Sequence, residues 1–197
     1  ALLGKTRYLF AQKLPARRLP RLLQMVARLC RYSWKPIVWR ALLISDTLSL
    51  QMRIYLACAI AKSEITQPNS LTIAHFGPTA VFAARLQALG ILQGPILPVF
   101  HGFDLSEKKV LQANAQSYLT LFKTSPLILT ISRHWADKLA ELGCDPAKIK
   151  VNRMGINCNV FEMQKPDTAL STPLRFLTVA RLTEKKGLIY AIEAIAQ

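Results

Sequence analysis

From residue 71 onward the chain alternates short apolar runs with longer stretches of helical spacing, and that alternation restricts the fold more than any other feature. The runs are LTIAHF (71–76), ILPVF (96–100), LILTIS (127–132), IKVNRM (149–154) and LRFLTVA (174–180). Each is long enough for a strand and too short for a buried helix. Helical stretches lie at 79–89, 107–122, 133–142 and 187–196, and Gly90, Gly94, Gly143 and Gly155 mark the joins. Apolar strands separated by helices are the pattern of β–α units on a parallel sheet buried on both faces. The predicted class is therefore α/β. Pro98 stands inside the second run and lacks a ladder donor, which predicts an edge strand or a bulge there.

The alternation breaks at 162–173, a polar stretch holding Pro166 and Pro173. It reads as an interdomain linker. The expected layout is a domain over 1–162, a linker over 163–173 and the opening of a second domain over 174–197. One strand and one helix cannot bury a core of their own, so the second domain is expected to continue in a longer protein.

The first third has a different character. Of the 26 Lys and Arg residues, twelve fall in residues 1–62, against a single acid there, Asp46. After Pro20 the sequence RLLQMVARLCRY places Leu22, Leu23, Val26, Leu29 and Cys30 near helical spacing, with arginines between them. Two readings stay open: a surface helix packed on its own domain, or a helix lying on an anionic bilayer. A nucleic-acid partner is not expected, because aromatic residues are only 8% of the chain and no stacking motif is present. The apolar window 41–61 holds Asp46, Gln51 and Arg53, and reads as a buried helix rather than a membrane span. The four cysteines show no C-x-x-C spacing and no neighbouring histidine pattern. Neither a zinc site nor a disulfide framework is expected, which fits a reducing compartment.

In open parallel sheets, ligands bind beyond the carboxyl ends of the strands. The residues found there are the candidates. His101-Gly102-Phe103-Asp104 follows the second run, and Ser132-Arg133 closes the third. Gly155 follows the fourth, and Arg181, Lys185, Lys186 and Gly187 follow the fifth. Arg181 and Lys186 flank a helix start, whose free N–H groups and partial positive charge suit a phosphate. Two cations there would meet the charge that gathers on a diphosphate leaving group. A solvated Glu-Lys-Lys run is the plainer alternative. An imidazole at His101 suits a sugar hydroxyl or a proton transfer, or else a structural role. Asp104 caps its loop or holds an acceptor hydroxyl. Ser132 reads first as a helix N-cap. His75, inside an apolar run, reads as structural. No pair of carboxylates stands out for glycosidase-type chemistry.

The stretches IAHFGP, FHGFDLS, LGCDPAKIKVNRMGIN and VARLTEKKGL occur in an order and spacing that resemble the retaining glycosyltransferases of the glycosyltransferase family 4 type. Within them the chain looks like the bacterial colanic acid or amylovoran exopolysaccharide enzymes. The resemblance implies the GT-B fold: an acceptor-side Rossmann-like domain, here incomplete, facing a donor-binding Rossmann-like domain of which only the first β–α unit is present. It implies a nucleotide-sugar donor, a lipid-linked oligosaccharide acceptor and hexose transfer with retention, with no cofactor and no required metal. By motif position Arg181 and Lys186 would grip the donor diphosphate, and His101 would act at the reaction centre. Asp104, Ser132 and Gly155 are the other cleft candidates. The protein would be cytoplasmic, and the basic first third would rest on the inner face of the cytoplasmic membrane. The sequence departs from the family pattern in several places. No first strand with a glycine loop precedes Leu71, the acidic donor motif is absent, and Asn157 and Asn159 stand where Asp is common. These departures raise the alternative of an inactive remnant whose basic region binds an anionic membrane or a partner protein.

Overall fold

A computed structural model describes residues 17–43, 49–63, 70–161, 173 and 175–197. It divides into two compact units, Ala1–Gly155 and Ile156–Gln197. The linker read at 163–173 lies outside the described residues apart from Pro173, as does the stretch 44–48 of the apolar window.

The first unit is α/β, as the alternation predicts. Strands β1 (Thr72–His75), β2 (Ile96–Phe100), β3 (Ile128–Thr130) and β4 (Ile149–Val151) form one parallel sheet in the order β1-β2-β3-β4. Helix α4 (Gly77–Ala88) links β1 to β2. The short α5 (Phe103–Ser106) and the longer α6 (Lys108–Thr124) link β2 to β3, and α7 (Arg133–Glu141) links β3 to β4. This arrangement is Rossmann-like. One sheet face carries Ala74, Ile96, Phe100 and Ile128, packed with Ala80, Tyr118, Leu121, Phe122 and Leu139 from the helices. Phe100 and Tyr118 meet edge to face at 5.3 Å between ring centroids.

Pro98 is not at an edge. β2 pairs with β1 on one side and with β3 on the other. The backbone alternation explains why this costs nothing. Thr72 N donates to Pro95 O and Phe76 N to Val99 O, so odd-numbered residues of β2 face β1. Pro98 therefore turns its hydrogen-free nitrogen toward β3. The β3 ladder starts one residue later, at Val99 and Phe100.

Ahead of the sheet lie α1 (Arg18–Tyr32), α2 (Pro36–Ala41) and α3 (Leu50–Ser63). Val38 and Ala41 pack with Leu56, Ala57, Ile60 and Ala61, and this cluster reaches Leu86 and Ile91 at the end of α4. Lys35 Nζ donates to Ala61 O at 2.9 Å. Helix α1 is oriented against expectation. Met25 is buried, and the Arg28 guanidinium stacks 4.8 Å from the Tyr55 ring centroid on α3. The stripe on its far side, Leu19, Leu22, Leu23 and Val26, is 67%, 52%, 62% and 51% exposed. The apolar stripe of the helix thus points outward.

In the second unit, residues 175–180 are not a strand. Phe176, Leu177 and Val179 are exposed, and no described segment offers them a ladder. A strand exists only through its hydrogen-bonded neighbour, so apolar composition alone does not make one. Helix α8 (Leu188–Ala196) does form, with Gly187 in the left-handed region (φ 61°) as its N-cap rather than its first residue. Among the described residues no helix is long and apolar enough to cross a membrane.

The thiols divide by burial. Cys58 and Cys144 are buried, and Cys30 and Cys158 are exposed. Burial pushes the Cys144 thiol up to about 11, with nearby Lys148 opposing and Asp145 adding to the shift. Burial also raises Cys58, with Arg28 opposing. A raised thiol favours the folded state fully below the unfolded value of about 8.5, and that contribution is lost as pH climbs toward the folded value. At pH ~8, Ellman's reagent is expected to modify Cys30 and Cys158 quickly, and Cys58 and Cys144 only after denaturation. Stability in urea is expected to fall between about pH 8.5 and 11.

Candidate functional site

The candidate site grows from a backbone problem at the end of β1. The last ladder bond, Phe76 N to Val99 O, is 2.8 Å long, and α4 begins at the very next residue. A strand that must become a helix within one residue needs an unusual bend. Phe76 supplies it with φ 70° and ψ 139°, and it is the only non-glycine residue with positive φ among the described residues. Such a conformation costs about 1–3 kcal/mol and persists only where its surroundings fix it. Here Phe76 O accepts from Ala80 N at 3.0 Å, and the Phe76 ring lies 4.5 Å from the His101 ring.

Gly77 follows because nothing larger fits. A Cβ there would sit 2.5 Å from Tyr118 Oη and 2.7 Å from the Phe100 ring. Pro78 lies in the first turn of α4, where a missing N–H would be unpaired in any case. The Gly77 N–H donates to Asp104 Oδ2 at 2.8 Å. Asp104 Oδ1 accepts from His101 N at 3.1 Å. One carboxylate therefore ties the loop after β1 to the loop after β2. Asp104 is 0% exposed, so this tie, and not an acceptor hydroxyl, occupies it. The positive end of the α4 dipole further compensates the buried charge. Beside it, Tyr118 is held well above the usual phenol range, first by burial and second by the charge of Asp104.

His101 stands at the carboxyl end of β2. Its Nε2 lies 2.8 Å from His75 Nδ1, with the ring centroids 5.1 Å apart. His75 is exposed, not embedded in the core. The sequence reading missed this residue because its run looks uniformly apolar. The available signal was that adjacent strands end in matching groups, His75-Phe76-Gly77 and His101-Gly102. Gly102 has φ 87°, and a Cβ on it would meet the Trp135 indole at 2.6 Å. Ser132 caps α7, its Oγ accepting from Trp135 N at 3.5 Å, and so orients the first turn that carries this indole. His75, Phe76, His101, Gly102, Asp104, Ser132 and Trp135 thus gather at the carboxyl ends of β1, β2 and β3, where parallel sheets bind ligands.

The remaining candidates are not part of that cluster. Gly155 is exposed, with nothing within 4 Å of a Cβ placed on it, and it ends the first unit. Arg181 and Lys186 belong to the second unit and are both exposed. Arg181 O accepts from Thr183 N at 2.9 Å, and Lys186 closes the 3-10 turn Glu184–Lys186 just before Gly187 and α8. Both cations therefore flank the start of α8. Among the described residues no group of His, Cys, Asp and Glu side chains can hold a metal ion.

Similarity to known proteins follows the whole length of the chain. It is 39% identical over 198 residues to a Salmonella typhimurium protein provisionally named colanic acid biosynthesis glycosyltransferase WcaL. It is 37% identical over 196 residues to the Escherichia coli K12 protein of the same name. Both alignments take in 100% of this chain and 48% of the relative. The amylovoran biosynthesis glycosyltransferase AmsK of Erwinia amylovora is 42% identical over 142 residues, 72% of this chain and 35% of its own length. The chain spans about half the length of the two WcaL relatives and about a third of AmsK. No protein-family model and no solved structure matches it.

Replacing Asp104 by Ala strands two backbone donors in a dry site. Each such loss costs about 1–3 kcal/mol, so urea unfolding is expected to show a total loss of about 2–5 kcal/mol. Asp104→Asn keeps one acceptor and is expected to lose less.

Proposed function

We propose that this sequence belongs to a retaining glycosyltransferase of the GT-B fold that transfers a hexose from a nucleotide sugar to a lipid-linked exopolysaccharide intermediate. In this reading residues 1–162 form the acceptor-side domain, 163–173 the linker and 174–197 the opening of the donor domain. The carrying observation is similarity along the whole chain to proteins named as colanic acid glycosyltransferases. The geometry supplies fitting chemistry. His101 stands at the ligand-binding edge of a parallel sheet, held through its own backbone by Asp104. Its imidazole would hydrogen-bond the transferred sugar near the reaction centre. Arg181 and Lys186 flank a helix start and are open to solvent, so an anionic group can reach them. As the bond between sugar and diphosphate breaks, negative charge moves onto the leaving phosphate. Fixed cations beside it favour the transition state over the ground state. No metal is needed for that role. Arg181→Ala and Lys186→Ala each remove a charge-assisted contact worth about 1.5–3 kcal/mol. In a polypeptide of the relatives' full length carrying this sequence, calorimetry should show donor affinity falling roughly 10–150-fold for each variant. Unchanged affinity would overturn the phosphate role.

The same reading places the protein peripherally on the inner face of the cytoplasmic membrane. One observation favours this over a remnant that docks on another protein. The apolar stripe of α1 faces outward in the most basic third of the chain. Trp34 and Trp39 near its end are also exposed. An apolar stripe set among arginines, with tryptophans beside it, suits the boundary between acyl chains and anionic headgroups. The 197-residue chain is expected to sediment with phosphatidylglycerol-containing vesicles and to release as salt rises. Serine at Leu19, Leu22, Leu23 and Val26 together should abolish the binding and leave circular dichroism intact. Equal sedimentation of the two proteins would exclude the stripe as the contact.

A further inference from the structure

We infer that His75 is a positioning residue for His101, and that the two imidazoles form a relay carrying a proton from the reaction centre to solvent. The inference rests on the glycosyl-transfer reading of His101 given above.

The geometry constrains the protons. His75 Nδ1 and His101 Nε2 are 2.8 Å apart, a hydrogen-bond distance that leaves room for one proton between them. If His101 Nε2 carries it, His75 accepts at Nδ1 and bears its other proton on Nε2. If His75 Nδ1 carries it, His101 accepts at Nε2 and bears its other proton on Nδ1. The neutral pair therefore has the same tautomer in both rings, either Nε2–H twice or Nδ1–H twice. Opposite tautomers would bring two hydrogens or two lone pairs face to face.

This coupling turns the pair into a conduit. Starting from the Nε2–H form, His101 Nδ1 is a free base, and no side chain or backbone group among the described residues hydrogen-bonds it. When an acceptor hydroxyl attacks the sugar, its O–H bond breaks and its proton passes to His101 Nδ1. The His101 Nε2 proton moves to His75 Nδ1, and the His75 Nε2 proton leaves to water. The pair ends in the Nδ1–H form with no net charge gained. The electron pair of the broken glycosidic bond departs with the nucleoside diphosphate. Each part of the assembly serves that path. His75 is exposed and so reaches water. The Phe76 ring, 4.5 Å from His101, supports that imidazole. Asp104 fixes the His101 backbone at 3.1 Å. The strained Phe76 backbone places His75 at the strand end beside its partner.

Two measurements test this. In the 197-residue chain labelled with 15N-histidine, a through-hydrogen-bond 15N–15N coupling is expected between His75 Nδ1 and His101 Nε2, with matching tautomers in the two rings. No coupling, or opposite tautomers, would overturn the inference. In a polypeptide of the relatives' full length, His75→Ala is expected to lower kcat on the order of tenfold or more. Added imidazole should restore part of that rate, which a purely structural residue would not allow. If His101→Ala abolishes transfer while His75→Ala leaves the rate unchanged, the relay fails and the reading of His101 stands. If His101→Ala retains full activity, the reading of His101 fails first and the relay falls with it.

Discussion

The buried carboxylate of Asp104 holds the catalytic edge of this sheet in place. It accepts hydrogen bonds from backbone nitrogens on two different loops, one opening α4 and one leaving β2. A carboxylate withdrawn from water is costly unless its lone pairs are used. Here they are used by groups that would themselves be unpaired, because the first N–H of a helix has no partner within that helix. The unfavourable backbone of Phe76, the absence of a side chain at Gly77 and the position of His101 all follow from closing these loops onto one anion. A charge-assisted bond is short and directional, so it fixes the histidine backbone more narrowly than apolar packing would.

Much of this architecture is legible in the order of residue types. Strands β1 to β4 lie inside the predicted apolar runs, though β3 and β4 are shorter, since a run continues only while its neighbour pairs with it. Ser132 acts as the cap its position suggests. What could not be read are effects of neighbours distant in sequence. Pro98 lies in an interior strand because backbone parity and a late-starting ladder excuse it. Residues 175–180 have the composition of a strand and no partner. His75 looks structural until β2 brings His101 beside it, 26 residues away. The helix α5 is too short for periodicity to reveal.

The helices before the sheet follow a different logic. Apolar spacing in α1 predicts a helix correctly but leaves open which side is buried. Packing chooses the side with Met25, Leu29 and Tyr32, where Arg28 also lies flat on Tyr55. A guanidinium can stack on an aromatic ring and still keep part of its hydration, so arginine is tolerated on the inner side. The second row of leucines is left with no place in the core.

The open segment 175–180 has a consequence for handling this polypeptide. Its sequence, RFLTVA, is rich in residues that favour extended pairing, and its side chains meet solvent on every side. Backbone donors and acceptors in such a stretch are as ready to join the same stretch of another molecule as any native neighbour. Concentrated preparations of the 197-residue polypeptide would therefore tend to self-associate through this short sequence, and a lysine at Leu177 would act as a gatekeeper without touching the folded sheet.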